Sequence, residues 1–328
     1  MTSKPKLSMY WASSCGGCEI ALLGIHERIL GVDRAFEFFF CPCVLDGKVK
    51  DVEALPDGDI AITFFNGAIR NRDNQRMAEL LRRKSRVLVA FGACACHGGI
   101  PALANFNSVG EHLQTNYQES PAVVNPDGVL PRLQTEVAEG ELELPELLER
   151  TRTLDQVVAV DYYLPGCPPE PERIWEAIGC LTAATPPPKG AILGAGRSSV
   201  CNECARRKET KDVAQVRRTF EFCPDEDVCL LEQGIACLGV VTRDGCRALC
   251  PAANMPCTGC YGPAEAGADQ GARMVAALAS VLDLGDYAGV SERRVAEKTA
   301  DATAGLVDPA GTFYKYSSAA SALRGRRQ

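Results

Sequence analysis

Short runs of β-branched and aromatic residues recur through the first half of the chain and predict buried strands. They lie at residues 6–11, 35–40, 59–65, 86–91 and 157–164. Between them, residues 18–31 and 71–84 place apolar side chains on one face with helical spacing, which predicts crossover helices. Because strands and helices alternate, the pattern predicts a doubly wound α/β fold, with a parallel sheet covered on both faces.

A polar segment at residues 102–156 interrupts this alternation, and we expect it to leave the sheet as a lid or a partner contact. Its acidic part, residues 133–151, has a helix-prone composition. Residues 185–196 contain three consecutive prolines, which cannot lie in a helix or a central strand. They predict a linker, so we place the first domain at residues 1–187.

The cysteine content changes after this linker. Nine of the 17 cysteines fall between residues 201 and 260, where large apolar residues are few. A segment with so small a core needs bound metal to stabilise its fold. We therefore predict a cysteine-rich domain with little regular structure at residues 188–263. Residues 264–328 are expected to hold an Ala-rich helix at 264–282 and then a polar tail at 284–328, extended over a partner or mobile.

Composition and charge exclude several classes of partner. The 328 residues include 46% hydrophobic and 23% charged residues, as in ordinary globular proteins, and the net charge is −7. We therefore expect neither nucleic acid nor a membrane surface as partner, although the final residues 324–328 are locally basic. Neither a long apolar run nor the pattern of a secretory signal is present, so we expect a cytoplasmic protein. Because the cytosol disfavours disulfides, its Cys-x-x-Cys spacings favour metal ligands or catalytic thiols.

Four cysteines of the first domain follow predicted strands. Cys15 and Cys18 follow the first strand, Cys94 follows the fourth and Cys167 follows the fifth. Sites in open parallel sheets form beyond the carboxyl ends of the strands, so we expect these thiols at one rim. Four thiolates suit a cubane iron-sulfur cluster or a structural zinc ion. A redox dithiol of Cys15 and Cys18 alone is the less favoured interpretation.

Other cysteines of this domain are expected to pack rather than bind. Cys41 and Cys43 share the rim and would replace a ligand if one of the four were wrong, but packing at a strand end is the simpler interpretation. Cys96 is expected to be a neighbour of the site, and Cys180 to lie in the core.

The cysteine-rich domain offers two further sets of four thiols. Its cysteines are Cys201, Cys204, Cys223, Cys229, Cys237, Cys246, Cys250, Cys257 and Cys260. Close spacings with Pro and Gly are typical of ferredoxin-like cluster loops. Two structural zinc sites are the alternative, but a further thiol set in the first domain favours an electron-transfer chain. Since no Gly-x-Gly-x-x-Gly follows a strand, we expect neither flavin nor nicotinamide on this chain.

The cysteines stand in six recognisable motifs: SSCGGCE (13–19), FGACACHGGIP (91–101), LPGCPP (164–169), CNEC (201–204), CLLEQGIACLG (229–239) and NMPCTGCYGP (254–263). In sequence and order they resemble the small, electron-transferring subunit of nickel-iron hydrogenases. Residues 65–94 are similar to the cytoplasmic, methyl-viologen-reducing, F420-non-reducing enzymes that associate with heterodisulfide reductase. The resemblance implies a flavodoxin-like first domain followed by an iron-sulfur domain.

The resemblance also implies a ligand set for each of three 4Fe-4S clusters. The proximal cluster would be bound by Cys15, Cys18, Cys94 and Cys167, the medial cluster by Cys246, Cys250, Cys257 and Cys260, and the distal cluster by Cys201, Cys204, Cys229 and Cys237. Cys250 stands where many respiratory relatives have a proline, which implies a medial 4Fe-4S rather than 3Fe-4S cluster. Cys223 matches no ligand. Oxygen-tolerant relatives carry an extra cysteine where this chain has Gly16 and Gly17, so an ordinary proximal cluster is expected.

On this resemblance, hydrogen is split on a large subunit that holds the nickel-iron centre, and this chain passes the electrons onward. The expected acceptors are a small iron-sulfur adaptor subunit and heterodisulfide reductase. Glu19 would assist proton movement at the subunit interface, or would only complement the start of its helix. Residues 205–218 are basic and predict either a docking face or a solvated helix. The alternatives are the small subunit of an F420-reducing hydrogenase and, in a different class, a zinc-stapled scaffold.

Overall fold

The computed structural model of the protein describes residues 4–210, 212–265, 267–285 and 289–323. The chain divides into two compact units, Met1–Leu193 with Ser318–Gln328, and Gly194–Ser317. The basic residues 324–328 lie outside the described residues. Where the chain is described, no helix combines the length and the apolar character needed to cross a membrane.

The first unit is built on a five-stranded parallel sheet, which confirms the predicted α/β fold. Its strands are β1 (Lys6–Trp11), β2 (Glu37–Phe40), β3 (Ile60–Asn66), β5 (Ser85–Phe91) and β9 (Tyr162–Leu164). They are arranged in the order β2-β1-β3-β5-β9, which is the flavodoxin order for five consecutive parallel strands. The fifth strand is shorter than the predicted 157–164.

Helices cover both faces of this sheet. They are α1 (Gly17–Leu23), α2 (Ile29–Ala35), α3 (Val49–Glu53), α4 (Arg72–Lys84), α5 (Gly92–His97) and α7 (Pro171–Thr182). Helix α6 (Val109–Gln114) lies in the excursion from the sheet and buries no side chain. The predicted helix at 18–31 is interrupted, because α1 ends at the C-cap Gly24 and a 3-10 turn at His26–Arg28 precedes α2. Helix α4 begins where Asn71 Oδ1 accepts a hydrogen bond from the Asn74 N–H at 2.8 Å. Its last turn carries three basic residues, which complement the helix dipole.

The strand residues alternate between two hydrophobic cores, as the two-residue period of a strand requires. Phe64 of β3 joins the core that contains α1 and α7 residues such as Leu22 and Ile174. Its neighbour Phe65 joins the opposite core, which contains Leu81 of α4. All five side chains are buried, so the sheet is covered on both faces.

The acidic segment at 133–151 was expected to favour a helix, and this expectation is wrong. It forms an antiparallel hairpin of β6 (Gln134–Val137) and β7 (Gly140–Glu143), followed by β8 (Leu147–Arg152). Gly140 begins β7 with a φ of +136°, which favours glycine. Strand β8 pairs with β4 (Ile69–Asn71), a contact distant in sequence that helix propensity cannot reveal.

The second unit contains little regular structure between residues 194 and 265, as predicted; its short helix α8 (Leu249–Ala252) contains Cys250. Helix α9 (Gln270–Ala279) is shorter than the predicted 264–282. The tail expected to be extended or mobile contains α10 (Glu292–Ala302) and α11 (Pro309–Phe313), so that expectation is wrong for its described residues.

Buried side chains explain why the tail folds. Ala302, Phe313 and Tyr314 are each less than a tenth exposed. The Ala302 carbonyl also accepts a hydrogen bond from the Val216 N–H at 2.7 Å. The ring of Tyr314 lies against Gly271, where a larger residue would collide with it. The described residues of the tail up to Ser317 thus complete the second unit.

Candidate metal centres

The first candidate centre, here the proximal site, lies at the carboxyl edge of the sheet. Cys15 lies between β1 and α1, and Cys18 is in the first turn of α1. Cys94 lies in α5, directly after β5, and Cys167 follows β9. The chain turns that end these strands thereby bring the four predicted thiols to one rim.

Electrostatics show that these thiols are close to one another. Burial raises the pKa of Cys94 to about 12, and the charges of Cys167 and Cys15 contribute to the rise. Burial also raises the pKa of Cys18 far above its ordinary value, with further increases from Glu19 and the other three thiols. Thiolates so placed repel one another, so an electropositive group bound among them would favour their ionisation.

Glycines make room around the sulfur atoms. A Cβ at Gly92 would overlap with Cys18 Sγ, and a Cβ at Gly99 would lie 2.5 Å from Cys94 Sγ. Both residues have positive φ, +84° and +59°, which side chains rarely adopt. Four convergent thiols match the ligand set of a 4Fe-4S cluster and the glycines leave space beside them, so the residues present fit such a group.

Glu19 is buried behind this site, with 7% of its surface exposed. The side-chain amide of Asn66, the last residue of β3, donates to both carboxylate oxygens of Glu19 at 2.8 Å. The same amide donates to Ser14 Oγ at 2.9 Å. Burial raises the pKa of Glu19, although the bond from Asn66 opposes the shift. Asn66 therefore fixes the carboxylate in place; the proton-transfer role stays a prediction.

The second candidate centre, here the distal site, is a small cavity in the second unit. Its lining includes the four predicted cysteines, Cys201, Cys204, Cys229 and Cys237. Burial raises the pKa of Cys201 to about 11; the charges of Cys237 and Cys229 contribute to this, while Lys208 opposes it. The Nζ of Lys208 donates to the carbonyl of Cys201 at 3.0 Å, so a positive charge lies beside the thiol set.

The cysteines predicted for the third candidate centre, here the medial site, fall into two pairs, Cys246 with Cys250 and Cys257 with Cys260. Burial raises the pKa of Cys246, with a smaller contribution from Cys250, and backbone N–H groups of Ala248 and Leu249 oppose the shift. Burial likewise raises the pKa of Cys257. Cys260 contributes to that shift, and Cys237 contributes more.

Among the described residues, no group of three or more His, Cys, Asp or Glu is positioned to hold a single metal ion.

The remaining cysteines differ in exposure. Cys96 is buried and donates to the Ala90 carbonyl at 3.2 Å. Cys180, expected in the core, is exposed, because it lies on the outer side of α7. Cys223 is also exposed. Cys41 is buried, Cys43 is exposed, and their sulfur atoms are 3.5 Å apart.

Arg206 is a buried structural residue that the sequence does not reveal. The described part of residues 205–218 forms neither a helix nor a uniformly solvated surface, since Arg206 is 7% exposed. Its guanidinium donates to the Pro251 carbonyl at 2.9 and 3.0 Å and to Asn254 Oδ1 at 2.7 Å. It also donates to the carbonyls of Asp225 and Val228, at 2.7 and 3.0 Å. One side chain therefore joins the backbone next to cysteines of both the distal and the medial site.

Comparison with known proteins identifies relatives that cover most of the chain. The family described as NADH ubiquinone oxidoreductase, 20 Kd subunit, matches residues 15–181. The iron-sulfur subunit of the F420-non-reducing hydrogenase of Archaeoglobus profundus is 39% identical, over 84% of this chain and 88% of the relative. A subunit of the F420-non-reducing hydrogenase of Methanothermobacter thermautotrophicus is 33% identical, over 96% of this chain and 95% of the relative.

A solved structure has a similar fold. It is that of the H2-activated, anaerobically purified [NiFeSe]-hydrogenase of Dm. baculatum, with a TM-score of 0.50 at 17% identity. The match covers 80% of this chain and 95% of that chain. At this identity the likeness concerns the fold alone.

Proposed function

Because the chain belongs to the family of nickel-iron hydrogenase small subunits, whose first domain is related to the NADH ubiquinone oxidoreductase 20 Kd subunit, we propose that it is an electron-transfer subunit. It is a subunit of a hydrogenase, an oxidoreductase, and has a large subunit as partner. The proposed role is to relay electrons from hydrogen oxidation on that large subunit to an acceptor subunit.

One observation carries the proposal: three sets of four cysteines stand at the positions described above. We assign one 4Fe-4S cluster to each of the proximal, medial and distal sites, with the cysteines predicted for each. When bound, such a cluster accepts and releases single electrons. Cys250 supports the assignment of four thiols, rather than three, to the medial site.

The chain's own residues would bind and insulate these groups. Gly92 and Gly99 leave space beside Cys18 and Cys94. Backbone N–H groups of Gly239 and Cys257 favour the charged form of Cys237, although burial raises its pKa overall. Such amide donors stabilise negative charge on ligand sulfur, which is how a protein adjusts a reduction potential. For Glu19 we propose a proton held at a carboxylate that Asn66 keeps in one orientation.

The names of the relatives support an acceptor other than F420. We propose a small iron-sulfur adaptor subunit that leads to heterodisulfide reductase. A cytoplasmic location is proposed with it, since 17 free cysteines suit a reducing compartment. An F420-reducing hydrogenase would instead yield a co-purifying chain that binds flavin and reduces F420, so co-purification separates the two assignments.

Anaerobic metal analysis tests the proposal. We expect about twelve iron atoms per chain, because three clusters of four irons are assigned. The acid-labile sulfide should match the iron, and hydrogen-dependent viologen reduction should require the large subunit. A colourless protein that binds zinc instead would contradict the electron-transfer role and favour a structural scaffold. Hydrogen oxidation by this chain alone would contradict the division of labour.

A further inference from the structure

Two cysteines outside the three candidate centres face each other. Cys41 Sγ and Cys43 Sγ are 3.5 Å apart, with one residue, Pro42, between them in sequence. The turn that follows β2 fixes their backbone, because the Cys41 carbonyl accepts hydrogen bonds at 2.8 Å from the N–H groups of both Val44 and Leu45. The proximity of the two sulfur atoms therefore results from a hydrogen-bonded turn and not from two free loops.

The two thiols differ in their surroundings. Cys41 is 4% exposed and packs in the core of the first unit, whereas Cys43 is exposed to solvent. Burial raises the pKa of Cys41 to about 12, and its hydrogen bond with Cys43 contributes to the shift. An exposed thiol can meet a soluble reagent, and a buried thiol next to it can react only with its neighbour.

Two other spare cysteines of the first unit lack this arrangement. Cys96 is buried and uses its S–H to bond the Ala90 carbonyl. Cys180 is exposed on α7. Neither combines an accessible sulfur with a buried one at short distance, so these cysteines serve as internal comparisons.

We propose that Cys41 and Cys43 form a reversible dithiol-disulfide site that exchanges with small-molecule or protein disulfides, separately from the candidate metal centres. The Cys43 thiolate attacks one sulfur of the incoming disulfide and releases the first product thiol. Cys41 then attacks the Cys43 sulfur of the mixed disulfide and releases the second. One S–S bond breaks and one forms, and the two protons and two electrons of the cysteine pair leave with two product thiols.

The required movement is small. The sulfur atoms must approach from 3.5 Å to a bond length of about 2.05 Å, which is a change of about 1.5 Å. Side-chain rotation supplies most of this, and the exposed position of Cys43 leaves room for it. The site lies at the edge of the sheet that also carries the proximal site. Its oxidation state would follow the thiol-disulfide balance of the surrounding solution.

Mass spectrometry of one peptide tests the proposal. The metal-loaded full chain is equilibrated anaerobically with buffers of reduced and oxidised glutathione, quenched with acid, alkylated and digested with trypsin. Cleavage after Arg34 and Lys48 releases residues 35–48, which contain only these two cysteines. We expect one transition, from a doubly alkylated peptide to an unalkylated peptide two mass units lighter than the dithiol. Iron content should stay constant across the transition. The peptide 174–189, which contains only Cys180, should never show this loss.

Two variants identify the order of reaction. In Cys41→Ser, the glutathione adduct of Cys43 should increase at least about tenfold over the wild type, because an adjacent thiol at millimolar or higher effective concentration no longer displaces it. Cys43→Ser, at an exposed position that tolerates the change, should abolish the transition. The proposal is overturned if the wild-type peptide stays alkylated in every buffer, or if it accumulates the adduct as Cys41→Ser does. It is also overturned if the thiols become reactive only after iron is chelated, since they would then be cluster ligands.

Discussion

The backbone N–H of Cys257 donates a hydrogen bond to Cys237 Sγ at 3.3 Å. Under the proposed assignment Cys257 binds the medial cluster and Cys237 the distal cluster, so the bond would join the two sites. The Cys257 carbonyl in turn accepts from the Leu238 N–H at 2.8 Å, so two loop segments are held together at this point. A change in one site should therefore reach the other through Cys237.

Substitutions at Cys250 and at Cys237 should differ in the number of clusters that they affect. Cys250 is exposed, so Cys250→Ala should convert the medial cluster alone, with a loss of about one iron atom per chain. Cys237→Ser should remove about four iron atoms and also shift the medial reduction potential, because the Cys257 amide loses its sulfur acceptor. Potentiometric EPR titration with iron analysis measures both effects. An unchanged medial potential in Cys237→Ser would contradict the coupling.

Gly92 is expected to be essential for the proximal site. In Gly92→Ala the new Cβ overlaps with Cys18 Sγ, so that sulfur must move away from the other three thiols. We expect iron to fall from about twelve to about eight atoms per chain, with the signals of the other two clusters retained.

Gly190→Ala is the matched control for this change. Gly190 has a φ of +87°, against +84° for Gly92, but nothing lies within 4 Å of its Cβ position. Both variants therefore carry the same cost of about 1–2 kcal/mol for a left-handed backbone, and only one displaces a ligand. Equal iron loss in the two variants would show that backbone strain, and not the space beside Cys18, is responsible.

Arg206→Lys should destabilise both sites of the second unit. A lysine ammonium has three donors on a flexible stem and cannot replace the planar guanidinium, whose donors reach four residues. We expect a loss of about 2–4 kcal/mol, since acceptors in the interior lose their donors. Iron should fall toward about four atoms per chain while the proximal signal persists.

A matched lysine substitution separates charge from geometry. Arg293 is 89% exposed and pairs with Glu297 across one helical turn, so Arg293→Lys should retain all iron. If Arg206→Lys also keeps about twelve iron atoms after dilution and heating, the guanidinium does not hold the two cysteine loops together.

The convergence of the proximal thiols could be predicted from sequence, because it follows from the position of each thiol relative to a strand. Each of Cys15, Cys94 and Cys167 closely follows a strand, and the parallel sheet brings strand ends to one edge. Arg206 could not be predicted, since its acceptors lie 19 to 48 residues away, and a basic run looks the same whether its members are buried or solvated. The hairpin at 134–143 was missed because strand pairing outweighs the helical preference of an acidic segment. The folded tail could not be predicted because several of its buried residues, such as Ser317 and Ser318, are small and polar and look solvent-exposed in the sequence.

Asp161 gives the first unit a stability that depends on pH. Its carboxylate accepts hydrogen bonds from Arg82 at 2.6 Å and from the Leu88 N–H at 2.8 Å, and it pairs with Lys189 at 2.7 Å. Burial alone would raise its pKa, but the bonds from Lys189, Arg82 and Leu88 outweigh burial and lower it. Together these interactions connect the end of α4, strand β5 and the linker to the carboxylate of Asp161.

Asp161→Asn should therefore cost about 2–3 kcal/mol near pH 7, because charged hydrogen bonds are lost. The pKa of Asp161 is lower in the folded than in the unfolded chain. The stabilisation is therefore complete above about pH 4, the pKa in the unfolded chain, and is lost as the pH falls through the pKa in the folded chain. Urea unfolding followed by fluorescence reports on this unit, since Trp11 and Trp175 both lie in it. The difference in free energy of unfolding between wild type and variant should stay constant from pH 7 to about pH 4 and narrow below it.

Glu146→Gln, which breaks an exposed pair with Arg72, is the control and should cost less than about 1 kcal/mol at any pH. A difference for Asp161→Asn that persists unchanged to the lowest pH would show that packing, and not the charge, accounts for the loss.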